Sequence, residues 1–336
     1  MITFSDNIAR KPYLGSIEIA EVWLGNTLIY PDTPTPPYDT YYLTFEALEN
    51  GTFQFTNSVD YSVDGGQTWA TLSANTNSPT ITTGNNIMWK GMLSGGNQGI
   101  GTFSSSGRYN AQGNPMSLLF GDDFIGRTDL TGYYYAFYEL FKNNIGLVNA
   151  KYLSLPATTL SNNCYHSMFY GCTNLINSPK LPATTLREFC YHGMFNGCSS
   201  LVNAPALPAT TMILWCYGYM FNGCSSLVNA PALPATTLAK DCYHRMFQDC
   251  TSLTTAPELP ATTLAESCYY HMFDGCSNLN NITCLATDIS AYNCTNSWVK
   301  NVAANGTFTK DASMSSWTSG IDGSGIPIGW TVVSNS

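Results

Sequence analysis

The chain has 336 residues, only 10% of them charged, and a net charge of -9 at pH 7. This length is enough for two or three domains, and Asn, Ser, Thr and Gly supply most of the surface polarity. An acidic chain without a Lys/Arg cluster is not expected to bind nucleic acid or an anionic membrane surface. Long apolar runs are absent, and the first 20 residues lack the apolar core of a secretory signal, so we expect neither membrane insertion nor export.

Residues 1–30 are predicted to form an N-terminal anchoring hairpin. The apolar residues of its two strands are Ile17, Ile19, Val22, Leu24, Leu28 and Tyr30. Gly25-Asn26 has the composition of a two-residue turn, and four prolines indicate a stiff linker over 31–40. The stretch VWLGNTLIYP at 22–31 resembles segments near the start of phage and prophage tail-associated proteins.

Residues 41–125 are predicted to form a β-sandwich, because short β-type runs such as 52–55 and 87–90 alternate with Gly and Asn turns. The stretch SVDGGQTW at 62–69 resembles the Asp-box of sialidases and other β-propeller proteins, in which the aspartate braces a turn. The resemblance implies structural roles for Asp64 and Trp69 and no sialidase chemistry. One such box cannot build a propeller.

Five near-identical copies of 26 residues follow from 155 to 284. Each begins with LPATT, at Leu155, Leu181, Leu207, Leu233 and Leu259. A fixed period of this length indicates stacked units that contact only their neighbours. Ten of the twelve cysteines fall in two columns, the first being Cys164, Cys190, Cys216, Cys242 and Cys268, and the second Cys172, Cys198, Cys224, Cys250 and Cys276.

The pattern within one copy predicts a short helix and a short strand. Leu238, Cys242 and Met246 lie four residues apart and would form one apolar stripe on a helix. The segment 201–207 has the length of a strand, so successive copies would form a parallel ladder about 4.8 Å apart. Proline in this segment predicts very short or irregular strands.

The order Leu-Pro, then Met-Phe, then Gly-Cys-Ser-Ser-Leu resembles the BspA-like leucine-rich repeats over residues 130–300. Residues 136–150 resemble a degenerate copy, which implies an N-terminal cap at 126–154, and the tail at 285–336 would form the C-terminal cap. The predicted fold class is therefore mixed α/β, with a β hairpin and a β-sandwich followed by a leucine-rich-repeat solenoid of five 26-residue repeats.

The cysteines are interpreted as buried structural residues with free thiols. On a helix, Cys242 and Cys250 would lie about 12 Å apart, which is beyond disulfide reach. Cysteine behaves as a small apolar residue, and repeated columns of it suit a core. Disulfides between neighbouring copies remain the alternative.

The sequence contains none of the usual catalytic and metal-binding motifs. The sequence lacks a nucleophile elbow, a zincin motif and a phosphate-binding loop, so we expect no enzyme and no cofactor; a carboxylate pair formed in space remains the alternative. His166, His192 and His244 share one repeat position, but Gly218 interrupts this column. Asp122-Asp123 lacks further spaced oxygen ligands for calcium, and we assign no metal.

Comparison of the copies with each other indicates a binding patch in copy three. A pair of positions four residues apart reads Asn163/Ser167, Phe189/Gly193, Trp215/Tyr219, Asp241/Arg245 and Ser267/His271. The predicted patch consists of Phe189, Ile213, Leu214, Trp215, Tyr219, Lys240 and Arg245, because aromatics inside a polar rim are typical of binding hot spots. An ion pair is expected between Asp241 and Arg245. The alternative is that Trp215 and Tyr219 pack against Phe189 or lie in a subunit interface.

These observations predict a non-catalytic binding protein. The phage-like N terminus and the missing export signal favour a tail-fibre or receptor-binding protein of a phage virion, made in the host cytoplasm and released by lysis. It would bind a glycan or protein receptor on the bacterial surface and other virion proteins through its N terminus, and the resemblance to phage fibres implies a homotrimer. The alternative is a bacterial surface adhesin or interaction scaffold of the BspA-like type.

Overall fold

A computed structural model describes residues 13–14, 17–18, 22–24, 27–30, 38–94, 99–320 and 322–335. The chain divides into two compact units at residues 38 and 39. In the first unit, strand β1 (Tyr13–Leu14) pairs antiparallel with β2 (Ile17–Glu18), and β3 (Val22–Leu24) with β4 (Thr27–Tyr30). The predicted first hairpin strand is therefore divided between two pairs. Its turn at 25–26 and the proline-rich part of the linker at 31–37 lie outside the described residues.

The second unit, residues 39–336, is built mainly from strands and turns. Its strands are β5 (Leu43–Ala47), β6 (Phe53–Phe55), β7 (Val59–Ser62), β8 (Ala70–Leu72), β9 (Asn86–Lys90), β10 (Phe103–Ser105), β11 (Tyr109–Gly113), β12 (Leu147–Leu153), β13 (Asn281–Cys284), β14 (Thr307–Asp311) and β15 (Thr331–Asn335). One short α-helix, α1 (Ser117–Phe120), and two 3-10 helices (Tyr38–Thr40 and Gly121–Phe124) complete the described elements.

Two sheets pack around an aromatic core in the region 41–125. The larger has the strand order β12-β11-β5-β9-β7-β8, and β6 pairs with β10 in the smaller. Phe45 of β5 and Trp89 of β9 contact Phe103 of β10, with ring centroids 4.9 and 5.0 Å away. Strand β12, which belongs to the predicted N-terminal cap, pairs parallel with β11. The predicted boundary near residue 125 is thus crossed by a continuous sheet.

The predicted fold class, mixed α/β with a leucine-rich-repeat solenoid, is wrong, because the repeats contain turns where helices were expected and isolated bridges where strands were expected. Among the described residues α1 is the only α-helix, and it lies outside the repeats. In copy four the backbone takes a left-handed conformation at every fourth residue, with φ of 55° at Asp241, 53° at Arg245 and 60° at Asp249. A right-handed helix cannot contain such residues. The four-residue spacing read as a helical stripe is the period of this turn series.

Backbone hydrogen bonds in the turn series alternate between two kinds of partner. Tyr243 N–H donates to the Cys268 carbonyl of the next copy at 3.1 Å, whereas His244 N–H donates to the Asp241 carbonyl of its own turn at 3.3 Å. The alternation recurs in every copy. Half of these N–H groups therefore join neighbouring copies, and we call residues 155–284 the repeat stack.

The predicted ladder of short strands is reduced to isolated bridges. Asn177, Asn203 and Asn229 form successive parallel bridges along the stack. Proline two residues after each of these asparagines lacks the N–H donor that a longer ladder would need. A three-stranded parallel sheet forms only at the C-terminal end, where β13, β14 and β15 pair in that order.

The turn series contributes to the core five side chains that are identical in every copy. In copy one they are Cys164, Tyr165, Met168, Phe169 and Cys172, and all are fully buried. Rings of the tyrosine column stack with centroids 5.6 to 6.1 Å apart between copies. Trp298 of the tail continues this packing, 6.0 Å from Tyr269.

Candidate binding face

The side chains between the core positions point to one outer surface, which we call the outer face. It comprises the residues at 163, 166, 167 and 170 and their equivalents every 26 residues. In copy order these are Asn163, His166, Ser167, Tyr170; Phe189, His192, Gly193, Asn196; Trp215, Gly218, Tyr219, Asn222; Asp241, His244, Arg245, Gln248; and Ser267, Tyr270, His271, Asp274. All four of these columns vary between copies, beside core columns that are identical in every copy.

The position pair selected from the sequence coincides with two left-handed backbone positions. Phe189, Trp215 and Tyr219 have φ of 55°, 55° and 56°. This conformation costs a residue with a side chain about 1–2 kcal/mol, and bulky residues adopt it only where their surroundings hold them. The third left-handed position of each copy is Gly171, Gly197, Gly223, Asp249 or Gly275, which are residue types that accept it readily.

Trp215 lies at the centre of a contiguous group of rings. Its ring centroid is 6.2 Å from that of Phe189, 5.4 Å from His192 and 4.6 Å from His244. We define the aromatic band as Phe189, His192, Trp215, Tyr219, His244 and Tyr270. Trp215 is half-buried among these rings. The alternative prediction, that it packs against Phe189, therefore accounts for part of its contacts.

Gly218, which interrupts the histidine column, provides the space for Trp215. A Cβ atom at residue 218 would lie 2.6 Å from Trp215 Cε3 and 3.1 Å from His192 Cδ2. The indole therefore occupies the place that histidine takes in the neighbouring copies. The sequence signal for this arrangement is the combination of a tryptophan and a missing histidine in the same copy.

Burial favours the neutral form of three histidines of the outer face, His166, His192 and His244. His192 Nδ1 and His166 Nε2 share a hydrogen bond at 3.2 Å, and His244 Nδ1 donates to Asp241 at 3.0 Å. Burial lowers the pKa of His166 to about 4, of His192 to about 3 and of His244 to about 4. Within the described ranges, no group of three or more His, Cys, Asp or Glu side chains could hold a metal ion.

Arg245 does not form the expected ion pair with Asp241, whose carboxylate contacts His244 instead. Its guanidinium lies between two rings, 5.7 Å from the centroid of Tyr219 and 5.9 Å from that of Tyr270. Nη1 donates to Gln248 Oε1 at 3.3 Å, and the buried Nε has no hydrogen-bond partner. The cation is thus held in place without a carboxylate beside it.

The structure brings together only part of the predicted patch. Phe189, Trp215, Tyr219 and Arg245 form a continuous surface with the aromatic band. Lys240 instead pairs with Glu266 of the next copy at 2.7 Å, and Ile213 packs against the buried core. Leu214 is half-buried and accepts a backbone hydrogen bond from Phe189.

Asp64 braces the turn between β7 and β8. Its carboxylate accepts hydrogen bonds from the backbone N–H groups of Gln67 and Thr68, both at 3.0 Å, and from the Thr68 hydroxyl at 2.6 Å. These bonds hold its pKa well below the ordinary value. Trp69 Nε1 donates to the Gly66 carbonyl at 3.2 Å within the same turn.

Asp122, considered above for calcium, contacts a cation of the chain itself. Its carboxylate accepts hydrogen bonds from Lys90 Nζ at 2.7 Å and from the Tyr42 hydroxyl at 2.8 Å. These two bonds lower the pKa of Asp122. The carboxylate is therefore already neutralised by Lys90.

All twelve cysteines are free and buried, although the helix used to exclude disulfides within a copy is not present. In the second column each Sγ–H donates to a phenylalanine carbonyl of the preceding copy, as Cys198 does to Phe169 at 3.1 Å. Burial raises the pKa of Cys164 to about 12 and that of Cys216 to about 12. Thiols in this environment are poor nucleophiles.

Comparison with protein-family models, with curated proteins and with solved structures gives no match for this chain. In the part of the chain that the structure describes, no helix has the length and apolar character to cross a membrane.

Proposed function

We propose that the protein is a non-catalytic receptor-binding protein of a phage virion that attaches to a bacterial surface through the outer face of its repeat stack. The observation that carries the proposal is the division between constant and variable positions. Eight buried columns are identical in all copies, whereas the four outer columns differ in charge, size and aromatic character. Stability alone explains the constant columns, and recognition of a specific surface explains why the variable ones differ.

The aromatic band supports the same proposal. Large aromatic side chains and arginine surrounded by polar groups are enriched in binding hot spots. Phe189, Trp215 and Tyr219 keep an unfavourable backbone conformation there, and such conformations cluster at functional sites. The proposal of a virion protein rests further on the phage-like stretch at 22–31.

Removal of two aromatic anchors tests the proposal. Trp215→Ala with Tyr219→Ala should abolish attachment of the purified protein to host cells, since each anchor contributes roughly 2 kcal/mol or more. Val202→Ala with Val228→Ala is the matched control, because these valines are 37% and 48% exposed and lie outside the outer face. Attachment by a folded Trp215/Tyr219 double variant at the level of the control would contradict the proposal.

Immunogold labelling then tests the location. Antibodies against the protein should label the tails of purified virions. Label confined to the surface of uninfected bacteria would instead support the bacterial adhesin suggested by the resemblance to BspA-like repeats.

A further inference from the structure

Arg245 is a residue of the outer face whose hydrogen-bond donors are only partly paired within the protein. Its guanidinium lies between Tyr219 and Tyr270, and among the described residues Gln248 accepts its only hydrogen bond. A guanidinium has five N–H donors, and burying one without a hydrogen-bond partner, as at Nε of Arg245, is unfavourable. The two tyrosines therefore hold a guanidinium at the protein surface, with some of its N–H groups unpaired.

The two acidic residues of the outer face, Asp241 and Asp274, form no ion pair with this cation. Asp241 contacts His244 at 3.0 Å, and Asp274 contacts His271 at 2.8 Å. Both aspartates belong to the outer face, yet each is hydrogen-bonded to a histidine. The chain has a net charge of -9, but an arginine without a carboxylate partner provides a local positive charge that can bind an anion.

The rings beside Arg245 define the shape of the ligand. Tyr219 lies 6.1 Å from Trp215, which lies 6.2 Å from Phe189, so a cation and three aromatic rings follow one another across three copies. Amide side chains, among them Asn222 and Gln248, run along the same face. A row of this kind fits a chain of sugar rings, whose C–H groups contact aromatic side chains while their hydroxyls bond to amides.

We infer that the outer face binds a linear bacterial polysaccharide bearing carboxylate groups, with Arg245 pairing with the carboxylate of a sugar acid and the aromatic band contacting the adjoining sugar rings. This inference rests on the proposed function. Arginine forms planar two-point contacts with carboxylates, which a neutral sugar cannot offer. A nucleic acid would need several phosphate contacts, and Arg245 is the only Lys or Arg among the 20 residues of the outer face.

The test is titration of the whole chain with polysaccharides that differ in charge. The probes are polygalacturonate, alginate and hyaluronan, with methyl-esterified polygalacturonate as the uncharged counterpart of the first and a teichoic acid as the phosphate polymer. At least one carboxylated polymer should bind, and esterification should weaken binding about tenfold or more, because charged hydrogen bonds contribute about 1.5–3 kcal/mol. Binding of none of the three, or equal binding of a polymer and its ester, would overturn the inference. A preference for teichoic acid would overturn it too.

Variants locate the site. Arg245→Met should lower the affinity for the carboxylated polymer about tenfold, and Arg245→Lys should restore only part of it because lysine lacks the planar fork. Arg187→Met, at an exposed arginine outside the outer face, should bind as the unchanged protein does. Equal binding by a folded Arg245→Met variant would place the anion elsewhere. Attachment to host cells without binding to any acidic polymer would refute this inference and leave the proposed function standing.

Discussion

Trp215 and Gly218 depend on each other, since the indole fills the space above the glycine. Gly218→Ala should destabilise the protein by about 1–3 kcal/mol, because the new Cβ would lie 2.6 Å from Trp215 Cε3 and the rings around it leave little room to move. Urea unfolding at pH 7 measures the effect.

A double-mutant cycle separates this clash from a backbone effect. In the Trp215→Ala background the same glycine substitution should cost little, because the ring that it would strike is gone. Equal losses of stability in the two backgrounds would show that Trp215 does not occupy the space assigned to it.

The repeat element is a series of turns, and substitution of one glycine tests whether its backbone is this turn series or a helix. Gly197 has φ of 75°, and a Cβ there would meet only Gly171, with its nearest atoms at 3.6 Å. Gly197→Ala should therefore cost about 1–2 kcal/mol from backbone conformation alone. In a helix the same substitution would stabilise by about 1 kcal/mol, so the sign of the change in unfolding free energy decides between the two structures.

Gly197→Asn is the matched variant. Asparagine tolerates the left-handed conformation. Asn143 and Asn301 adopt it at the equivalent positions just before and just after the repeat stack, with φ of 57° and 60°. It should cost less than Gly197→Ala. The opposite order would contradict the assigned backbone conformation.

At the scale of the whole molecule, the buried histidines link stability to pH. His166 and His192 have pKa values lowered to about 4 and about 3 by burial, below the ordinary value of 6.5. Above pH 6.5 neither the folded nor the unfolded chain is protonated at these residues. Between pH 6.5 and 4 the unfolded chain binds protons that the folded chain does not, so stability falls as pH falls through this window.

Replacement of the pair tests this linkage. His166→Gln with His192→Gln should flatten the decrease of unfolding free energy between pH 6.5 and pH 5, a range in which most carboxylates stay ionised. Each histidine contributes at most about 1.4 kcal/mol per pH unit. His244 and Asp241, which also face this band, are unchanged in both proteins. Equal slopes for the variant and the unchanged protein would exclude these two histidines as the cause.

The repeat pattern identified residues that the structure buries, such as Cys242 and Met246, but it predicted the wrong backbone. Leu238, Cys242 and Met246 are spaced by four residues. Such residues lie on one side of a helix with 3.6 residues per turn, and they also lie on one side of a turn series with a period of four. The spacing therefore does not distinguish the two structures. The signal that separates them is the third left-handed position, where Gly171, Gly197, Gly223 and Gly275 recur. Glycine in mid-helix is unfavourable, and its recurrence in this column was evidence against a helix.

The sequence by itself determined which positions are core and which vary, because duplicated copies share one environment at each position and the comparison of copies reveals it. Only the tertiary structure decided that Gly218 makes room for Trp215, that Lys240 pairs with Glu266, and that Arg245 lies between two tyrosines without a carboxylate. The contacts of Lys240 and Arg245 join residues of neighbouring copies, about 26 positions apart, whereas Trp215 meets Gly218 within one copy because of the turn conformation. The partners of Lys240 and Arg245 depend on how the copies stack, and local sequence patterns carry no information about distances across the stack.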